Sequence, residues 1–197
     1  MRRFIQIFAI IAIVAIVFGV AYGTDLVLDK TEEIIYPQQF ENHVTENSVK
    51  YNIPEYVIYA IIKTESDFKT TAVSSAGAMG LMQMMPDTFF WLTGSEHLGE
   101  NLSEEALFIP GVSIRYGTYY LDYLYKKFDR NWDNAFAAYN GGEGNVAKWL
   151  ADPRYSDGEG GLKDIPFKET KNYVKKVNNA IEKYKELYYE PNEGVAG

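Results

Sequence analysis

From residue 37 onward the apolar positions recur at helical rather than alternating spacing, and Gly-, Pro- and Ser-rich stretches separate the runs. Pro37 opens a first segment in which Phe40, Val44 and Tyr51 stand near helical spacing, closed by Asn52. Pro54 opens a second that runs to about Ser66. Here Ile58, Ile61 and Ile62 lie seven, four and three positions before Glu65, which puts all four on one helical face. The small and polar residues from Asp67 to Ala78 predict a loop. Asp87 starts a helix through Phe89, Phe90 and Trp91, and at least one of these rings should enter the core. Thr93 to Leu102 reads as a loop exposing His97. A helical start at Ser103–Ala106 follows, then a long helix from Pro110 to about Phe128. Trp132–Tyr139 and Glu143–Leu150 form two further helices. The last runs from Pro166 to about Tyr188, with Phe167, Val174, Val177, Ile181, Tyr184 and Leu187 on its apolar stripe. Strand signal is marginal, and the expected fold class is all-α.

The N-terminus breaks this pattern. Met1-Arg2-Arg3 precedes an uncharged run from Phe4 to Tyr22, in the order of an export signal. That run is longer than the usual signal core and approaches the ~20 residues that span a bilayer. Residues 1–23 are therefore expected to insert into the membrane. They would do so as an uncleaved anchor, or as a cleaved signal with Ala21-Tyr22-Gly23 as the processing site. Arg2 and Arg3 on one side and Asp25 on the other orient the remainder outward. The expected organisation is a signal-anchor over 1–23, a tether over 24–36, one domain over 37–190 and a tail over 191–197. The domain over 37–190 would then be extracytoplasmic, membrane-held or secreted.

Charge and cysteine content narrow the partners. The 197 residues carry 19 basic and 27 acidic side chains. Without Arg2 and Arg3, 17 basic residues face 27 acidic ones, a net charge of −10, which repels phosphate backbones and argues against nucleic acid. With no cysteine in the chain, disulfides, thiol nucleophiles and a lipid-modified N-terminal Cys are excluded. No phosphate loop or zinc pattern is present, and Asp152, Asp157 and Glu159 miss the spacing of a calcium loop. No cofactor or metal is expected. His43 has no second ligand at metal spacing and reads as a surface or helix-packing residue.

Candidate chemistry centres on Glu65. A carboxyl at the end of an apolar stripe loses hydration in its charged form, which raises its pKa and suits it to general acid work. The plainer alternative is a helix-end acid turned to water. Ser74 is either a loop ligand or the cap of its own turn. Met79, Leu81, Met82, Met84 and Met85 read mainly as core. Gln83, an amide within that apolar run, either bonds the backbone or offers a donor and an acceptor to a ligand. The tyrosines of the long helix could stack on sugars or pack as amphipathic residues.

Four ordered blocks then carry a resemblance. Glu65-Ser66 with Ser74, Gly77-Ala78-Met79-Gly80-Leu81-Met82-Gln83 with Met85-Pro86, Ala138-Tyr139-Asn140-Gly141-Gly142, and Glu169-Thr170 with Tyr173-Val174 resemble the signatures of the soluble lytic transglycosylase domain. This goose-lysozyme-like family cleaves bacterial peptidoglycan, and the similarity spans about Pro37 to Tyr188. It implies a single lysozyme-like helical domain, acting as a monomer on glycan strands. It also implies Glu65 as the catalytic acid, with Ser74, Gln83, Met85, Tyr139, Asn140 and Glu169 at the substrate. Tyr139 would approach the acid and hydrogen-bond its carboxylate. The implied reaction joins the muramyl 6-hydroxyl to C1, so one acid suffices. A hydrolytic muramidase using Asp67, Glu169 or another acid, and a catalytically silent glycan-binding anchor, are the alternatives.

Overall fold

The computed structural model describes residues 31–190. The chain divides at Pro37 into two units, and the expected membrane segment over 1–23 lies outside the described residues, as does the tail. No helix among the described residues is long and apolar enough to cross a membrane.

The second unit is all helix. Its elements are α1 (Glu41–Tyr51), α2 (Glu55–Ser66), α3 (Pro86–Thr93), a 3-10 turn (Glu104–Phe108), α4 (Pro110–Lys127), α5 (Trp132–Gly141), α6 (Glu143–Leu150) and α7 (Lys168–Tyr184), which runs into a π turn (Lys185–Tyr189). Isolated bridges at Val73–Met79, Met79–Met84 and Ser156–Leu162 are the β-type pairings among the described residues. Prolines start α3 and α4, where a missing N–H costs nothing. Asn131 caps α5 by accepting the Asn134 N–H at 3.0 Å.

The centre of the unit is α2. Its sequence pattern predicts a one-sided stripe, but Val57, Ile58, Tyr59, Ala60, Ile61 and Ile62 are all buried, so the helix is enclosed on every face through its middle turns. Its main neighbour is α7, and the Tyr59 and Tyr184 rings stack across this contact with centroids 5.4 Å apart. A second cluster of Met84, Phe89, Leu92, Leu107 and Tyr116 binds α3 and the 3-10 turn to α4. Of the three adjacent rings on α3 only Phe89 is core, while Phe90 and Trp91 are exposed. His97 is half-buried rather than exposed, because Tyr119 holds its Nδ1 at 3.2 Å and the Trp91 ring lies against it.

Gly80 fixes the turn that follows the Asp67–Ala78 loop. Its φ of +77° lies in the left-handed region, and a Cβ there would collide with the Leu107 carbonyl. On both grounds Gly80→Ala should lower unfolding stability by roughly 2 kcal/mol or more, measured by urea denaturation. The conformationally relaxed Gly144→Ala, with open space at its Cβ, should leave it nearly unchanged.

Candidate active site

Glu65 leaves the core at the last turn of α2. The helix stops at once, because Asp67 and Phe68 both take left-handed backbone conformations, with φ of 52° and 61°. Ser66 then ties this end of the helix to the Gly80–Gln83 turn. Its hydroxyl lies 2.8 Å from the Leu81 carbonyl and 3.2 Å from the Ile62 carbonyl of its own helix. From the other side α4 grips the same turn. The Met82 N–H donates to the Ser113 hydroxyl at 3.2 Å, and the Met82 side chain lies so close to Gly117 that a Cβ there would overlap it.

The acid therefore stands between two buried surfaces. It keeps a little accessible surface, yet protein atoms crowd the carboxyl enough that burial pushes its pKa up to about 7. The Tyr173 phenol of α7 opposes this rise by hydrogen bonding toward the charged form. That phenolic oxygen is buried without a well-aligned partner, so the contact is loose. Burial first, and then the Glu65 charge, hold the Tyr173 proton well above its ordinary pKa.

Tyr139, at the end of α5, feels the same carboxyl: burial raises its pKa strongly and the Glu65 charge adds to the rise. Its hydroxyl, however, donates to the Met82 carbonyl at 2.8 Å. The expected bond from Tyr139 to the carboxylate is thus corrected. The Met82 carbonyl accepts that hydrogen bond, and Tyr173 is the phenol whose approach to Glu65 opposes the rise of its pKa.

Tyr139 also lines a cavity of about 150 Å³ with Gln83, Met84, Met85, Thr88, Tyr120, Asn140 and Gly142. Four expected site residues, Gln83, Met85, Tyr139 and Asn140, meet here. Met85 and Asn140 are exposed at its wall. Gln83 has a φ of 46° and spends both amide protons on backbone, at the Ala72 carbonyl (3.0 Å) and the Gly80 carbonyl (2.9 Å). Ser74 and Glu169 lie outside this cavity. Ser74 caps its own turn, its Oγ accepting the Ala78 N–H at 3.0 Å. Glu169 is exposed in the first turn of α7, one turn before Tyr173.

Asp67 is exposed and pairs with Lys63. Among the described residues no second carboxylate contributes to the Glu65 shift, and no group of His, Asp and Glu could hold a metal ion. A cavity of about 550 Å³ elsewhere on the unit is not the candidate site. It is lined by Asn52, Pro54, Arg130 and Trp132 and lies near the start of α2, roughly 15 Å of helix away from Glu65.

Comparison with known proteins identifies the family to which this fold belongs. Residues 42–159 match the family model of the transglycosylase SLT domain. The chain belongs to that family. Among SLT relatives, the soluble lytic murein transglycosylase of Escherichia coli K12 is 37% identical over 126 residues, covering 64% of this chain and 20% of its own. The membrane-bound lytic murein transglycosylase C of Klebsiella pneumoniae (strain ATCC 700721 / MGH 78578) is 33% identical over 165 residues, covering 72% and 45%. The chain thus spans between a fifth and a half of the length of these relatives. A solved structure of an inactive glutamate-to-glutamine mutant of lytic transglycosylase Slt from Pseudomonas aeruginosa superposes with a TM-score of 0.69. It is 34% identical and covers 78% of this chain and 25% of that one.

Thr88 joins the site without having been singled out in the sequence, while Tyr120 was read only as one tyrosine of the long helix and Tyr173 was quoted in a family block without a role of its own. For Tyr173 a signal existed, since it lies in the fourth SLT block, one helical turn after Glu169.

The raised Glu65 pKa has a stability signature. Below about pH 4.5 both folded and unfolded chains hold the proton. Between there and about 7 the unfolded chain releases it first, so wild-type stability falls as pH rises. Glu65→Gln removes that slope. The variant should gain on wild type by on the order of 2 kcal/mol between pH 5 and pH 8 in urea unfolding, after allowance for solvent screening of the carboxyl. Tyr173→Phe removes the bond favouring the charged form and should move the Glu65 titration, followed by NMR, upward from about 7.

Proposed function

We propose that this chain is a peptidoglycan lytic transglycosylase. It would cleave the β-1,4 bond between N-acetylmuramic acid and N-acetylglucosamine without water, with Glu65 as the only general acid and base. The observation that carries this reading is a lone desolvated carboxyl with a pKa of about 7, tuned by a phenol and by no second acid. Its support from relatives is membership of the SLT family and the inactivity of a glutamate-to-glutamine mutant of one solved neighbour.

In the first step neutral Glu65 gives its proton to the glycosidic oxygen. The bond from that oxygen to muramyl C1 breaks, and its electron pair stays with the departing N-acetylglucosamine hydroxyl. C1 becomes cation-like and Glu65 is left as a carboxylate, the form that the Tyr173 proton stabilises. The carboxylate then takes the proton of the muramyl 6-hydroxyl as O6 bonds to C1. The products are a 1,6-anhydro ring and a regenerated neutral acid. Because the nucleophile belongs to the same sugar, its effective concentration is high and no second carboxylate is needed to position water.

Gln83, Met85, Tyr139 and Asn140 would hold the glycan in the cavity, with Ser74 and Glu169 at its margins. The domain over 37–190 would work outside the cytoplasm as a monomer, held by residues 1–23 through the tether over 24–36. The uncharged run from Phe4 to Tyr22 and the membrane-bound relative support that placement.

Mass spectrometry of fragments released from purified peptidoglycan tests the reaction. The expected result is anhydro-muramyl ends, at least a thousandfold fewer with Glu65→Gln, which amounts to about 4 kcal/mol of lost transition-state stabilisation. Reducing ends would instead mean hydrolysis, and binding without release a silent anchor. Since the first step needs neutral Glu65, kcat/KM should fall about tenfold per pH unit above about 7.

A further inference from the structure

The cavity wall continues beyond its lining. Thr88 on α3 and Tyr120 on α4 bound it, and one turn further along each helix stand Trp91 and Tyr123. The Tyr120 and Tyr123 rings lie nearly parallel, 11° apart in plane with centroids 6.3 Å apart. Tyr139, inside the cavity, tilts against Tyr120 at 5.5 Å. Trp91 meets Tyr123 edge to face at 5.1 Å and Tyr120 at 6.4 Å, while His97 braces it at 4.1 Å. A continuous aromatic row therefore runs outward from Tyr139 through Tyr120 and Tyr123 to Trp91.

This row is fixed but not covered. The side of α3 that packs into the core is made by Phe89 and Leu92, and Trp91 lies off it, 43% exposed. A large ring steadied by three aromatic neighbours yet open to solvent offers an ordered flat apolar surface at little entropic cost. Beside it are polar groups. Lys127 donates to the Tyr123 hydroxyl at 3.1 Å and pairs with Glu143 at 2.9 Å, next to Gly142 of the cavity wall. An apolar face edged by hydrogen-bonding groups matches a sugar ring, with its C–H faces and its rim of hydroxyls.

We infer that Trp91 and Tyr123 form a distal sugar subsite. It extends the cavity between Gln83 and Tyr139 so that a glycan strand is held for at least one further residue along the α3–α4 seam. The inference rests on the glycan-cleaving reading above, and continuity with the cavity names the occupant. Its consequence is a preference for longer strands, since a short oligomer would fill the cavity without reaching Trp91.

The test uses the full chain carrying Glu65→Gln, which binds without cutting, titrated calorimetrically with N-acetylglucosamine–N-acetylmuramic acid oligomers of increasing length. Affinity should rise with length. Adding Trp91→Ala should weaken the longer oligomers about three- to tenfold and the shortest much less, and Trp91→Phe should recover most of the loss. A purely structural Trp91 would instead weaken every length alike. That result, an unchanged length dependence, or no glycan binding at all would overturn the inference. Failure of the wild-type chain to release anhydro ends, with the length dependence intact, would overturn only the reaction proposed above.

Discussion

The burial of α2 is the constraint on which the site depends. A helix enclosed on all sides through its middle turns cannot carry a charged group there, so its acids, Glu55 and Glu65, stand only in its end turns. Glu65 occupies the last turn, close enough to the interior to lose hydration and close enough to the surface to meet a ligand. Its proton affinity is thus a by-product of packing that the fold requires in any case. The stacking of Tyr59 on Tyr184 supports the acid indirectly, because it seats α7, the helix that carries Tyr173.

The Gly80–Gln83 turn is the second half of the device. Ser66 and Ser113 hold it from opposite helices, and Gly80 and Gly117 allow it to approach more closely than any side chain would permit. Tyr139 joins the assembly by donating to the Met82 carbonyl. The turn is therefore held by side-chain hydroxyls bonded to its main-chain groups, one of them from the residue next to the acid and one from the Tyr139 phenol. The relative positions of acid, turn and phenol depend on few side-chain rotamers, as a preorganised site needs.

The sequence made the all-helical class and most helix positions legible, because period and proline punctuation are local properties. Pro110 and Glu143 mark their helices to within a residue. The burial of α2 on every face was not legible, since periodicity reports one favoured side and cannot count neighbours from α7. Glu65 could be singled out from its apolar stripe together with the family signature, and neither alone would have separated it from a solvated helix-end acid. The destination of the Tyr139 proton was misread for a physical reason: a hydroxyl near a carboxylate has competing acceptors, and the nearest was a backbone carbonyl that no sequence pattern displays. His97 was misplaced because its cover comes from Tyr119, distant in sequence.

Gln83 has a consequence for recognition. Its two N–H groups are committed to the Ala72 and Gly80 carbonyls, which anchors the amide plane and turns its other end into a fixed lone-pair site at the cavity wall. Such a wall discriminates by polarity of hydrogen bonding. On the proposed glycan reading it would welcome a hydroxyl or an acetamido N–H and penalise a bare ether or carbonyl oxygen at the same spot, so the turn would sense the orientation of an incoming sugar as well as its shape.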